Sequence, residues 1–283
     1  MSSVTALRPP VNDGIQIAKE SFFCRAKYTP DGRLLSTEHA TRPIFSREGT
    51  DEGVFLSEHP GKYTSEALAA CIEEMRAEPG DPEDNKRRAV NRAKVRAFDL
   101  IMCNPDLLAF VTLTCDGAKV DRTDYNAVYK YLKVWLSNRV TRRGLRYILC
   151  PEYHKDGEAI HFHMLCNVSA MRFVASRTAA GLVRTRKGKP VYNVKDWELG
   201  YSTMQICSRD DPREAVAKYI FKYMGKAAGQ KIGGRYFLHG GRLAEPYYVY
   251  ADELTQFEEP RQPTFTVEVN PCAGLTYTKH YHI

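Results

Sequence analysis

The stretch YILCPEYHKDGEAIHFHMLC, residues 147–166, decides how the chain folds. At its centre, Asp156 and Gly157 form a two-residue hairpin signal, because both residue types tolerate the positive φ of a tight turn. Apolar and β-favouring residues flank the pair on both sides. A hairpin closed there places Glu152 directly opposite His161, and Cys150 opposite His163. His161 and His163 are two apart, so they share one face of a strand. Cross-strand partners share a face as well, with Cβ atoms about 5 Å apart. Glu152, His161 and His163 are therefore expected on one side of a sheet, with Phe162 turned into the core. Two imidazoles and one carboxylate suit a divalent ion such as Mn²⁺ or Mg²⁺ and leave positions open for substrate oxygens. Pro151 removes a ladder donor, which places its strand at an edge or a bulge. Glu158 is the substitute carboxylate if the register slips by one.

Working outward, residues 110–115 alternate like a half-buried strand. Thr123 can cap a helix over 123–141 whose apolar stripe is Tyr131, Leu132, Trp135, Leu136 and Val140. Strands are expected over 145–153, 158–167 and 201–207. Asp211 as cap, Pro212 in the first turn and Glu214 start a helix that runs to Ala228 and stops at Gly229. Upstream, a helix over 65–77 is broken by the Pro79 to Pro82 segment, and a basic helix follows over 83–100. Residues 1–60 read as irregular with short strands, and strand candidates lie at 247–250 and 264–269. His280 and His282 repeat the His-x-His pattern, but they read as a terminal tail.

The helix that starts near Asp211 carries Tyr-x-x-Lys twice in tandem: Tyr219 with Lys222, and Tyr223 with Lys226. Four residues apart, the two phenols lie on one helix face, about 6 Å apart along the axis. Each has a lysine three positions on. A phenol with a pKa near 10 is a weak nucleophile at neutral pH, so a neighbouring cation and a polarised phosphate both help it. The same tyrosines also fit an ordinary packing stripe with Val216 and Ile220.

Bulk properties narrow the class. The 283 residues carry a net charge of +7. Basic residues gather at 86–96, at 139–146 and across 172–197. In the last of these, which has a turn at Gly188-Lys189-Pro190, Arg172, Arg184, Arg186, Lys187 and Lys189 are the candidate DNA-binding residues. Scattered cations suffice to neutralise a phosphate backbone. The eight cysteines include no CxxC pair, which argues against a zinc module and for reduced thiols. No segment has the roughly 20 apolar residues of a membrane helix, and the first ten residues lack an apolar signal core. The expected location is the cytoplasm, with no membrane partner. Gly181 to Lys189 has the wrong spacing for a phosphate-binding GxxxxGK[ST] loop, so DNA unwinding is expected from a separate helicase.

The strand at 110–114, His161-Phe162-His163 and the tandem tyrosine motif, in that order, resemble the HUH endonuclease superfamily. Within it the chain looks like the replication initiators of small single-stranded DNA bacteriophages, the gokushovirus branch of the microviruses. The resemblance covers residues 105–230. It implies an α+β fold with a central antiparallel sheet of about five strands and flanking helices. Residues 91–232 would form the nuclease core with a basic insertion at 172–197; residues 1–90 and 233–283 would be extensions. By position, Glu152, His161 and His163 match the metal ligands, Tyr219 and Tyr223 the paired nucleophiles, and Lys222 and Lys226 the motif lysines. The implied activity is metal-dependent nicking of single-stranded DNA at a replication origin, leaving a 5′-phosphotyrosine and a free 3′-hydroxyl. Host helicase, DNA polymerase and single-strand-binding protein are the implied partners, in the cytoplasm of a bacterial host. A plasmid relaxase or single-strand transposase would share this chemistry. A non-catalytic nucleic-acid-binding protein, or a zinc hydrolase using water, would not.

Overall fold

Apolar and polar residues alternate through 107–114, the pattern of a strand with two unlike faces, and the structure builds its largest core on that segment. The computed structural model describes residues 20–45, 54–55, 61–62, 81–154, 159–225, 233–251, 265–268 and 275–280. In chain order the elements begin with β1 (Glu20–Tyr28), β2 (Leu34–Phe45), β3 (Val54–Phe55), β4 (Gly61–Lys62), α1 (Pro82–Cys103), β5 (Leu107–Thr114) and α2 (Tyr125–Arg143). Next come β6 (Tyr147–Tyr153), β7 (Ile160–Asn167), β8 (Phe173–Ala175), β9 (Thr185–Arg186), β10 (Lys189–Pro190), β11 (Tyr192–Val194) and β12 (Ser202–Ile206). The last are α3 (Arg213–Gly225), β13 (Leu238–Gly240), β14 (Tyr247–Ala251), β15 (Phe265–Glu268) and β16 (Leu275–His280). The chain divides into two compact units, Asp81–Ala244 and the combination of Met1–Gly80 with Glu245–Ile283.

The first of these units holds a seven-stranded sheet in the order β13-β6-β7-β5-β12-β11-β8. All its pairings are antiparallel. The fold is thus α+β, with the expected strands inside and the three-residue β8 and β13 added at the edges. One face buries Val111, Leu113, Leu149, Phe162 and Met164 against Val128, Leu132 and Leu136 of α2. The other buries Ile148, Cys150 and Leu165 against Ala97, Leu100 and Ile101 of α1 and Val216, Ala217 and Ile220 of α3. Phe162 is fully buried at the centre. Its replacement by alanine is expected to cost about 3–5 kcal/mol, read as a lower midpoint of denaturant unfolding.

The hairpin register falls where the turn signal put it: Glu152 opposite His161 and Cys150 opposite His163, without a slip. The Asp156-Gly157 turn and Glu158 lie outside the described residues, as do the expected helix over 65–77, Lys226, Ala228, Gly229 and His282. Pro151 finds its place because β13 pairs only with residues 147–149 of β6, so beyond Leu149 that side of the strand has no ladder to serve.

Local signals around the helices differ in detail from expectation. Helix α1 starts at Pro82 with the Asp81 carboxylate accepting the Glu83 amide at 3.3 Å, so the segment expected to break a helix also caps the next one. On α2 the cap is Asp124, not Thr123; its carboxylate accepts the Asn126 amide at 2.8 Å, while Thr123 donates to Asp121. Gly144 ends α2 at φ +64°, the left-handed position that favours glycine. Tyr131 is not on the buried stripe: its residue is 50% exposed, whereas Leu132 and Leu136 are buried and Trp135 and Val140 pack partly buried against the core. At α3 the Pro212 carbonyl accepts the first helical amides, from Ala215 and Val216. The Asp211 carboxylate turns instead to the Ser208 amide at 2.9 Å and to Lys189 at 2.7 Å.

Over the described residues 20–45, the second unit replaces the expected irregular chain with short strands by two long ones. Its sheet runs β15-β16-β2-β1-β14-β3, with β4 paired to β1. β1 has nine residues and β2 has twelve. The turn formers Thr29, Asp31 and Gly32 are the loop of their hairpin, where the Arg33 amide donates to the Thr29 hydroxyl at 3.0 Å. Strands from both ends of the chain pair directly, β1 with β14 and β2 with β16. His280 is the last residue of β16, in a strand rather than a tail.

Candidate functional site

Three adjacent strands and one helix bring the site together. β5 pairs with β7 so that Thr112 stands opposite His163 and Thr114 opposite His161. The residues facing α3 are therefore Thr112 and Thr114 on β5, His161 and His163 on β7, and Glu152 on β6. The Thr112 hydroxyl lies 3.2 Å from His163 Nδ1, and the Thr114 hydroxyl 3.0 Å from His161 Nδ1. His163 Nε2 lies 2.6 Å from Glu152 Oε2. Both side chains of that pair are 13% exposed, so the contact is shielded from water on most sides. The His161 and His163 rings are 6.3 Å apart, and the His154 ring stands 4.6 Å from His161.

Helix α3 adds the aromatic side. Tyr223 stacks on His163 with ring centroids 3.6 Å apart and planes at 11°. Tyr219 meets Tyr223 edge-on at 5.1 Å and Phe110 edge-on at 4.5 Å. The Tyr219 hydroxyl is close enough to act on the Tyr223 phenol. Arg213 holds the start of this helix in place, its guanidinium donating to the carbonyls of Ile101, Asn104 and Leu107 at 3.2–3.3 Å. Burial pushes the Tyr223 phenol well above its ordinary range, and the Tyr219 hydroxyl and Glu152 add to the effect. The phenol is thus protonated at neutral pH. Cys150, opposite His163, is also pushed up by burial and by Glu152, so it is an inert thiol and not a nucleophile.

The expected lysines are arranged otherwise. Lys222 is exposed on α3, and Lys226 lies outside the described residues. Among the described residues, Arg186 is a cation whose charge acts on Tyr223. It comes from the β9–β10 hairpin, whose turn is Lys187-Gly188 at φ +52° and +74°, not Gly188 to Pro190 as the sequence suggested. The Arg186 carbonyl accepts from Gln205 of β12 at 3.1 Å, and Lys189 is paired with Asp211 just before α3. That pairing fastens the basic hairpin beside the tyrosine helix. The five candidate DNA-binding residues separate accordingly. Arg186, Lys187 and Lys189 are on this hairpin, Arg184 donates to the Arg177 carbonyl at 3.1 Å, and Arg172 stands near Asp196 at 3.8 Å.

Sequence reasoning missed Thr112, Thr114 and Phe110 as site residues, although their alternation in 110–114 puts them on one strand face. The missing signal is that this strand is the neighbour of His161 and His163. Among the described residues, no three His, Cys, Asp or Glu side chains are grouped as a ready metal site. The donor chemistry nonetheless fits a divalent ion. Each imidazole has its Nδ1 on a threonine hydroxyl, a group that donates or accepts and so supports either tautomer. When the hydroxyl accepts from Nδ1–H, Nε2 carries the lone pair that a ligand would use; on His163 that nitrogen lies against Glu152, so the two groups would have to part to hold an ion.

Residues 108–228 match a family model described as a replication-associated protein of the ORF2 type. The match spans the β5–β7 strands and α3, less than half of the chain. No curated protein and no solved structure is significantly similar to the chain. Among the described residues, no helix is long and apolar enough to cross a membrane.

Proposed function

We propose that this chain initiates rolling-circle replication by nicking single-stranded DNA with a tyrosine nucleophile. The reading rests on one observation above all: Tyr223, far along the sequence from His163, has its ring stacked on that imidazole at 3.6 Å, on the face that also carries Glu152 and His161. The family match over residues 108–228 supports it. So does the basic β9–β10 hairpin, which supplies charge for a phosphate backbone beside the phenols.

In the proposed reaction the phenolic oxygen of Tyr223 or Tyr219 attacks the scissile phosphorus, and the phenol proton leaves as the new bond forms. The bond from phosphorus to the 3′ oxygen breaks, and that oxygen takes up a proton to become the 3′-hydroxyl. The 5′ phosphate stays on tyrosine as a phosphodiester, so resealing by the reverse step needs no nucleotide cofactor. Glu152, His161 and His163 would hold the divalent ion, Mn²⁺ or Mg²⁺. When bound, it supplies Lewis-acid polarisation of the phosphate. Thr112 and Thr114 orient the imidazoles, and Arg186 favours the phenolate that develops. Host helicase, polymerase and single-strand-binding protein would act on the nicked product, in the cytoplasm of a bacterial host. The motif order fits an initiator of the gokushovirus-type microviruses.

The test is a denaturing gel of labelled single-stranded oligonucleotides tiled across the replicon, incubated with the protein and Mn²⁺. A cleaved 3′ product that a polymerase extends, accompanied by a protein-sized shift of the other fragment, is the expected result. Binding without cleavage on every oligonucleotide would point to a non-catalytic DNA-binding protein. Replacing Thr112 and Thr114 together by valine should weaken Mn²⁺ binding about 10–100-fold, the usual cost of losing hydrogen bonds behind metal-binding imidazoles. Titration calorimetry would measure it, and an unchanged affinity would mean that the hydroxyls do not orient the rings.

A further inference from the structure

We propose that the cleft between α2 and residues 196–199 is a second binding site for single-stranded DNA, distinct from the site that carries the tyrosines. The inference rests on the proposed function, since it takes the chain to handle a DNA strand. The cleft has a volume of about 1090 Å³. That is above the roughly 300–1,000 Å³ of small-molecule pockets, so it has room for a chain segment. It lies in the α2 layer. The sheet face packed on α2 carries Val111, Leu113, Phe162 and Met164, so the histidines and α3 are on the far side of the sheet.

Its lining combines positive charge with one exposed ring, Tyr131, and one half-buried ring, Trp135. Lys130, Arg142 and Arg143 border it and have no carboxylate partner among the described residues. Asp196 in the cleft is already engaged by Arg139 at 2.6 Å and Arg172 at 3.8 Å. Glu198 is the other acid of the lining, so the cleft keeps a positive balance. Trp135 is held rigidly: its Nε1 donates to the Asp196 carbonyl at 2.8 Å, Arg139 lies 5.2 Å over its ring, and Trp197 meets it edge-on at 5.6 Å. Tyr131, one helical turn before it, is 50% exposed, and Val134 is 59% exposed. Neither belongs to the core contact of the helix, which Val128, Leu132 and Leu136 make with Tyr125, Ala127, Tyr129, Trp135 and Val140 partly buried beside them. A rigid tryptophan, an open tyrosine ring and nearby cations form the pattern on which unpaired bases stack while phosphates are neutralised. Duplex DNA would leave the ring faces unused. No tyrosine–histidine pair borders the cleft among the described residues, so it holds a strand and does not cut it.

The experiment measures fluorescence anisotropy of a labelled long oligothymidylate with the full chain over a series of salt concentrations. The variants are Tyr131→Ala, and Tyr131→Ala combined with Arg142→Gln and Arg143→Gln. All three side chains are exposed, and an unchanged thermal midpoint verifies the fold. The single variant should bind about tenfold or more weakly. The triple variant should also lower the slope of log affinity against log salt by about 1.4, for two lost phosphate contacts at ~0.7 each. Nicking of an oligonucleotide too short to reach the cleft should stay at the wild-type rate. Wild-type affinity and slope in the triple variant would overturn the proposal. So would tighter binding of duplex than of single strand, or equal competition by oligoglutamate, which would assign the cleft to an acidic protein. A wild-type chain that binds no oligonucleotide is a separate result and would overturn the functional reading itself.

Discussion

Replacing Tyr219 and Tyr223 together by phenylalanine is expected to lower strand cleavage by about 10⁴-fold or more, with the fold intact, because it removes both candidate nucleophiles. The double variant is cleaner than either single one. The two hydroxyls interact with each other, so removing both leaves neither facing a lost partner. The phenylalanine rings keep the stack on His163 and the edge contact with Phe110. Thermal melting should therefore change little while cleavage vanishes. Of the single variants, Tyr223→Phe should cost more in the first cleavage, since Tyr223 and not Tyr219 lies on His163. Single-turnover cleavage of a labelled single strand measures all three. Cleavage that survives in the double variant would assign the reaction to activated water.

Replacement of His163 by alanine is the second large effect, a loss in the cleavage step on the order of 10²–10³-fold. His163 is where the site converges: Thr112 is on its Nδ1, Glu152 on its Nε2 and the Tyr223 ring on its face. Its loss removes a proposed ligand and also frees Tyr223 to move. Glu152→Gln separates the two roles. It keeps a hydrogen-bonding group beside His163 but removes the charge, so a similar loss in that variant would identify charge as what matters. Affinity for single-stranded DNA should change little in either, because the cations of the β9–β10 hairpin remain.

Much of the site was legible because two short-range rules agree. A two-residue turn sets the register and a strand alternates faces, and these suffice to gather Glu152, His161 and His163. Helical spacing likewise puts Tyr219 and Tyr223 on one face. What remained hidden depends on contacts between distant segments. That β5 lies beside β7, and so sets Thr112 and Thr114 behind the imidazoles, is a choice of strand order that periodicity does not contain. The position of Arg186 near Tyr223 depends on a hairpin anchored through Gln205 and Lys189, contacts no local pattern announces. Lys222 has the spacing of a phenol's partner, yet it is exposed on α3. In the other unit, charged residues interrupt the strand pattern: Arg25 pairs with Glu38 on the neighbouring strand, and Lys27 is buried over the Tyr248 ring at 5.5 Å. Without those partners in view, the segment resembles irregular chain.

The most direct measurement is mass spectrometry of the protein after reaction with single-stranded DNA and Mn²⁺, followed by nuclease and trypsin. Lys218, Lys222 and Lys226 place Tyr219 and Tyr223 on different tryptic peptides, so the modified residue is read without mutation. A nucleotide attached through phosphate to the peptide of Tyr223 or of Tyr219, and absent when His163 is replaced by alanine, is the predicted result. Cleaved DNA with both tyrosine peptides unmodified would contradict the tyrosine mechanism.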